Sequence, residues 1–329
     1  MAGAVNIRPI TGRIELQNWR DFTKVMKVMS GGQWIFRGHK SAKYQLQSGL
    51  DRWVDEIVSA RSKRGIDTDK DSFSFTLPRA EHFAIASFKS KAQQFQEYDS
   101  NVAALLAMQH YGAKTRLLDF TTSIMVALFF AYEDKMTGEE RAIYAVNYRT
   151  IVEQGGWRGR YLAYTNRSDL KDRGDEEVWW ELESQIENYY FQKFMLEQAE
   201  KIVNDGHSDF GKGIIPLYKA CFNRRQMAQS GVELMPRTFD GFASNLAAVL
   251  GVDEKLVDDP PSIGMVNISR MTEVEKRFPT SLIKFVFDPK MEEDAWRMLD
   301  QANINAATIY PDLEGVAKSV RYNDRILGL

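Results

Sequence analysis

Nine uncharged residues, Ile124-Met-Val-Ala-Leu-Phe-Phe-Ala-Tyr132, follow directly on the polar run Gln109-His-Tyr-Gly-Ala-Lys-Thr-Arg-Leu-Leu-Asp-Phe-Thr-Thr-Ser123. The apolar stretch is too uniform to be a surface element, so it must be buried, and its length fits a core helix. Burying it drags Arg116, Asp119 and Thr121–Ser123 against the core. Polar groups there are costly unless paired. A second segment repeats the conflict: the apolar Trp34-Ile-Phe36 ends abruptly in Arg37-Gly38-His39. Whatever fold forms must house both segments.

The chain has 329 residues, 44% of them apolar and 27% charged, enough for a sizeable core in one large domain or two smaller ones. The net charge of −2 gives no general reason to bind nucleic acid or an anionic membrane. One cysteine, Cys221, rules out an internal disulfide and fits a reducing, cytoplasmic setting. With four scattered histidines (His39, His82, His110, His207), it offers no zinc-type spacing. Met1-Ala-Gly-Ala-Val-Asn-Ile-Arg-Pro does not read as a signal peptide, and no apolar run is long enough to span a bilayer.

Periodicity predicts helices over 14–29 (Leu16, Trp19, Phe22, Val25, Met26, Met29), 79–98 and 101–111. Gly31-Gly32 ends the first, and Gly112 is the expected C-cap of the third. Gln33–Arg37 reads as a short strand and Thr115–Phe120 as extended. Thr121 or Thr122 caps a helix from Ser123 to about Asp134, and Ala142–Tyr148 reads as a strand. The stretch 149–215 is the least regular and reads as an insertion or lid within a single 1–329 domain, with a helix to Lys201 and an acidic, aromatic segment around Trp179 and Trp180. Strands are expected near Val232–Met235, at Ile283–Phe287 and at Ala307–Tyr310, with helices at Met291–Ala302 and Leu313–Arg321. Helices between short strands, without regular alternation, indicate an α+β fold with a mixed or antiparallel sheet.

The chain has no P-loop, Rossmann glycine pattern, Gly-x-Ser-x-Gly, His-Glu-x-x-His or kinase motif set, which lowers the nucleotide kinases, dehydrogenases, α/β-hydrolases and zincins. Arg37, at a strand end, offers a rigid donor fork for a phosphate, or else forms a buried pair with a carboxylate such as Asp119. Gly38 permits a tight turn or a close ligand approach. Arg116 and Asp119 bracket two leucines and pair with each other or with backbone. His110 is a ligand contact or a capping residue. Thr121, Thr122 and Ser123 form an anion site, an N-cap, or both. Glu233, Asp312 and Glu314 lie near glycines beside predicted strands, and each is either a catalytic carboxylate or a capping residue.

These residues, in order, resemble the FRG domain. They are Phe36-Arg37-Gly38; Tyr44-x-Leu46-x-Ser48-x-Leu50; Gln109-His110-Tyr111-Gly112-x-x-Thr115-Arg116-Leu117-Leu118-Asp119-Phe120-Thr121; Ala127-Leu-Phe-Phe-Ala131; Arg225…Gln229-x-Gly231; and Tyr310-Pro311-Asp312-Leu313-x-Gly315. Lys114, Phe120 and Glu233 depart from the usual pattern. The layout is also similar to ADP-ribosyltransferases of the Arg-Ser-Glu type, which place Arg-Gly on a first strand, a Ser-Thr-Ser-like strand before an Ala- and Phe-rich helix, and a later Glu on a strand.

That resemblance implies a protein of bacterial or phage conflict, as defence or toxin, that uses NAD and no metal to modify a macromolecular acceptor. Arg37, with Gly38, would hold the pyrophosphate, and Thr121, Thr122 and Ser123 would order the nicotinamide side. His110, Arg116 and Asp119 would shape the wall. Glu233, or else Asp312 or Glu314, would be the catalytic carboxylate. The rival expectation is a non-catalytic nucleotide sensor or protein-interaction module.

Overall fold

The computed structural model describes residues 10–30, 34–68, 73, 76–134, 138–165, 185–206, 211–218, 224–264 and 280–320. The first half holds β1 (Ile10–Leu16), α1 (Trp19–Met29), β2 (Trp34–His39), α2 (Gly49–Ser62), α3 (Leu77–Ala92), α4 (Asn101–His110), β3 (Leu118–Thr121), α5 (Ile124–Tyr132) and β4 (Arg141–Asn147). Then come α6 (Tyr148–Gln154), α7 (Trp157–Tyr164), α8 (Gln185–Asp205), β5 (Ile214–Tyr218), α9 (Arg224–Ala228), β6 (Gly231–Pro236), α10 (Phe242–Leu250) and α11 (Lys255–Asp258). The last elements are β7 (Thr280–Phe287), α12 (Glu292–Gln301), α13 (Ala306–Ile309) and α14 (Leu313–Ser319).

Among the described residues, seven strands form one mixed sheet in the order β1-β7-β4-β2-β3-β6-β5. Only β1 and β7 run parallel; the other neighbours are antiparallel. The fold is therefore α+β, as the helix and strand pattern predicts. The two strands that bear the opening motifs, β2 and β3, lie side by side near the middle.

Strand alternation sorts the side chains into two faces. On one face Phe36, Ile143, Ala145, Ile283 and Phe285 pack with α1, α5 and α12. On the same face, at the other end of the sheet, Ile215, Leu217 and Met235 pack with α3, α4, α7 and α8. The opposite face carries Ile35, Phe120, Tyr144, Val232 and Leu234 under α10. Each fully buried large side chain contributes about 1.5–3 kcal/mol. The first face thus carries two helical blocks, with α5 against β2, and the gap between them lies over β3 and β6.

Helix α5 forms as expected. Its cap is Ser123 rather than Thr121 or Thr122, its hydroxyl accepting from the Val126 N–H at 3.3 Å. Helix α4 ends at His110 with Tyr111, not Gly112, as its C-cap; Gly112 follows one residue on, where its φ of +82° suits glycine.

Two expectations are corrected. Ile10–Leu16 is a strand, and the first helix begins at Trp19, capped by Asn18. Leu16 and Trp19 fit a helical spacing, yet Ile14 and Leu16 alternate onto one sheet face and β7 supplies the ladder. Ala307–Tyr310 is not a strand: Ala306–Ile309 is a helical turn closed by a capping box between Asn305 and Thr308. The segment around Trp179 and Trp180, and Gly31-Gly32, lie outside the described residues. Among those described, no helix is long and apolar enough to cross a membrane.

Candidate ligand-binding site

Strands β2 and β3 share a single register pair, Phe36 with Thr121. Beyond it they part, while β3 stays paired with β6 along all four residues. The opening leads into a cavity of about 780 Å³, within the ~300–1,000 Å³ typical of small-molecule sites. Strands β2, β3 and β6, helices α4 and α5, the 40–47 loop and α2, α9 and Tyr310 contribute to its walls.

Arg37 spans the split. Its Nη1 donates to the Asp119 carbonyl at 2.7 Å. A strand carbonyl left without a ladder partner is thus satisfied by a side chain. The Arg37 Nε donates to His39 Nε2 at 3.1 Å. His39 Nε2 must then be the acceptor, so its proton sits on Nδ1, which faces the Tyr44 carbonyl at 3.3 Å. Burial, and then the Arg37 charge, push the His39 pKa down to about 3, and the ring is neutral. Burial also lowers the Arg37 pKa, with Asp119 favouring its charge and Arg52 opposing it. A guanidinium still stays protonated.

Gly38 is packed, not turned. A Cβ there would lie 1.9 Å from the Ala127 carbonyl oxygen and 2.7 Å from the Ala131 nitrogen. The backbone of α5 occupies the space a side chain would need, which explains why Arg37 is followed by glycine in front of an Ala-rich helix.

The floor carries two carboxylates. Asp119 on β3 is directly opposite Glu233 on β6, so both project from the same face. Asp119 is exposed and accepts from Gln109 Nε2 at 2.8 Å. Gln109 Oε1 in turn accepts from the Thr115 hydroxyl. Glu233 is only 4% exposed but lines the cavity. Thr121 lines it too; its hydroxyl donates to the Gln229 carbonyl at 2.7 Å and accepts from the Ser123 N–H at 3.0 Å. His110 stands on the wall, its pKa lowered by burial and by Arg225.

The structure thus brings together Arg37, Gly38, His110, Asp119, Thr121 and Glu233. It separates the rest. Arg116 is buried in an ion pair with Glu81 at 2.7 Å, lies over the Phe239 ring and faces a different, smaller cavity. Thr122 and Ser123 close the turn into α5 and do not line the site. Asp312 caps α14 and, with Glu314, pairs with Arg225. Neither lines the cavity: Asp312 serves as the cap, and Glu314 pairs with Arg225 and Lys318.

Residues not expected there include Arg52, Tyr44, Arg225 and Tyr310. Arg52 follows the capping box Ser48-x-x-Asp51, a legible helix start that places it on the first turn of α2. Among the described residues, no group of three or more His, Cys, Asp or Glu is placed to hold a metal.

Residues 32–140 match the family model of the FRG domain, a span that holds both opening motifs. The later segments around Arg225–Gly231 and Tyr310–Gly315 fall outside the matched span. No curated protein and no solved structure matches the chain.

Proposed function

The chain carries an FRG domain at residues 32–140, and from that premise we propose that it is ADP-ribosyltransferase-like, binding NAD in this cavity and modifying a macromolecular acceptor. One observation carries the reading. Arg37, Thr121 and Glu233, from the neighbouring strands β2, β3 and β6, line one cavity in the order that the Arg-Ser-Glu layout assigns to them.

The residues present suit a dinucleotide. Arg37 keeps Nη2 without a hydrogen-bond partner among the described residues, on a guanidinium already fixed through its other nitrogens. That atom is free to donate to a phosphate oxygen. Bound NAD supplies a labile bond between ribose C1′ and the nicotinamide nitrogen. When that bond breaks, its electron pair stays with the nitrogen and positive charge develops at C1′. A buried carboxylate at Glu233 is suited to stabilise that charge in a low-dielectric site. As the acceptor's nucleophile bonds to C1′, it gives up a proton, which a floor carboxylate takes as general base. Thr121, tied on both sides, holds the turn between the floor and α5.

The test is incubation of the folded protein with NAD, with and without cell extract. Nicotinamide release and a labelled macromolecular product are expected. Binding of NAD without either outcome would identify a nucleotide-binding module instead, and no NAD binding at all would overturn the reading.

A further inference from the structure

We infer that Arg52 is the second half of an anion subsite in this cavity, and that Arg37 and Arg52 together grip a diphosphate. The inference rests on reading the cavity as a nucleotide site and names the part of the ligand that these two residues hold.

Five cationic side chains line the cavity, and three have acidic partners. Lys40 pairs with Asp134 and Glu133, Lys43 with Glu139, and Arg225 with Asp312 and Glu314. Arg37 and Arg52 form no salt bridge among the described residues. Both guanidinium groups are instead anchored to main-chain carbonyls. Arg37 Nη1 donates to Asp119 O at 2.7 Å, and Arg52 Nη1 donates to Gln47 O at 2.8 Å. Each is held by an uncharged acceptor that fixes its position without neutralising it.

The two are near enough to act on each other. Asp119 favours the charged form of Arg37 and Arg52 opposes it, and both arginines oppose protonation of the His39 between Arg37 and Tyr44. Two like charges lining one cavity, neither in salt-bridge contact with an acid among the described residues, repel each other in the empty site. A bound anion relieves that repulsion. Two separate donor forks, one on β2 and one on α2, suit two linked phosphoryl groups better than a single one. Preorganisation by the carbonyls means that little side-chain freedom is lost on binding.

Calorimetry with inorganic pyrophosphate, ADP-ribose and inorganic phosphate tests this on the full chain. The wild type should bind pyrophosphate and ADP-ribose more tightly than phosphate. Arg52→Gln should weaken the first two on the order of 10- to 100-fold, as expected for losing charge-assisted bonds, with Arg52→Lys recovering part of the loss. Arg52 is exposed, so its melting temperature serves as a check that the fold is kept. Unchanged pyrophosphate affinity in Arg52→Gln would overturn the inference, as would a wild type that prefers single phosphate. Arg52-dependent pyrophosphate binding without any turnover of NAD would leave the subsite standing and sink the transferase reading alone.

Discussion

Asp119 and Glu233 face each other directly across β3 and β6, two carboxylates at one register position on one sheet face. Like charges so placed repel each other unless each is held by a partner. The two differ in setting: Asp119 is exposed and held by Gln109, whereas Glu233 is buried in the floor. Glu233→Gln should therefore lower nicotinamide release at least 100-fold while NAD affinity stays within a few-fold, the mark of a group that acts mainly in the transition state. Asp119→Asn keeps an oxygen for Gln109 and should cost turnover less. Single-turnover assays paired with calorimetry separate the two effects. Equal losses of affinity and rate in Glu233→Gln would mean that Glu233 merely shapes the pocket.

Gly38→Ala should damage both fold and site. The added Cβ would meet the backbone of α5 at 1.9 Å, so strand and helix must separate. Overpacking of this kind costs about 1–3 kcal/mol or more. The shift would also pull Arg37 from the Asp119 carbonyl. Gly112→Ala is the control: its φ is +82° but nothing lies within 4 Å of the new Cβ, so only local backbone strain of about 1–2 kcal/mol applies. Denaturant midpoints should drop in both, with loss of ligand affinity only in Gly38→Ala.

Arg116 carries a contrasting prediction, because its partner is Glu81 and not the ligand. Arg116→Met leaves a buried carboxylate without its cation, a loss of roughly 3–5 kcal/mol. Burial already holds the Glu81 pKa above the usual carboxylate range, with Arg116 pulling it down. Removing Arg116 lets it rise further. A folded-state pKa above the unfolded value destabilises as pH rises, so the deficit of the variant should shrink as pH falls and Glu81 takes up a proton. Urea titrations at pH 5 and pH 8 check this. A deficit independent of pH would exclude Glu81 as its cause.

What the residues disclosed on their own follows from the range of each interaction. The α5 segment and its polar approach are local, so both the buried helix and the density of constrained groups around Arg37 and Asp119 were legible. The pairing of Arg116 was not, because Glu81 lies on α3 and meets it only after folding. Nor was the opposition of Asp119 and Glu233, which depends on strand register across more than a hundred residues. The strand at Ile10–Leu16 was hidden because Leu16 satisfies helical and alternating patterns together; its partner β7 decides between them. Arg52 carries no sequence signal beyond an exposed helix charge, and what distinguishes it is that it has no carboxylate partner among the described residues, a property of the assembled cavity.

His39 yields a pH prediction whose sign follows from the hydrogen bonds around it. Arg37 Nε donates to one ring nitrogen, so that nitrogen must be unprotonated. Protonation would set two donors against each other in a buried position that is 6% exposed. Burial first, and then the Arg37 charge, lower the folded-state pKa to about 3 from an ordinary 6.5. Between those values the unfolded chain binds a proton that the folded chain refuses, so this histidine makes stability fall as pH drops from about 6.5 toward 3. His39→Gln offers an amide oxygen to Arg37 and cannot titrate. The stability of the wild type should therefore decline more steeply than that of His39→Gln between pH 6.5 and pH 5, above the range where most carboxylates titrate. Parallel pH profiles for the two proteins would show that His39 does not hold Arg37 in the way the geometry requires.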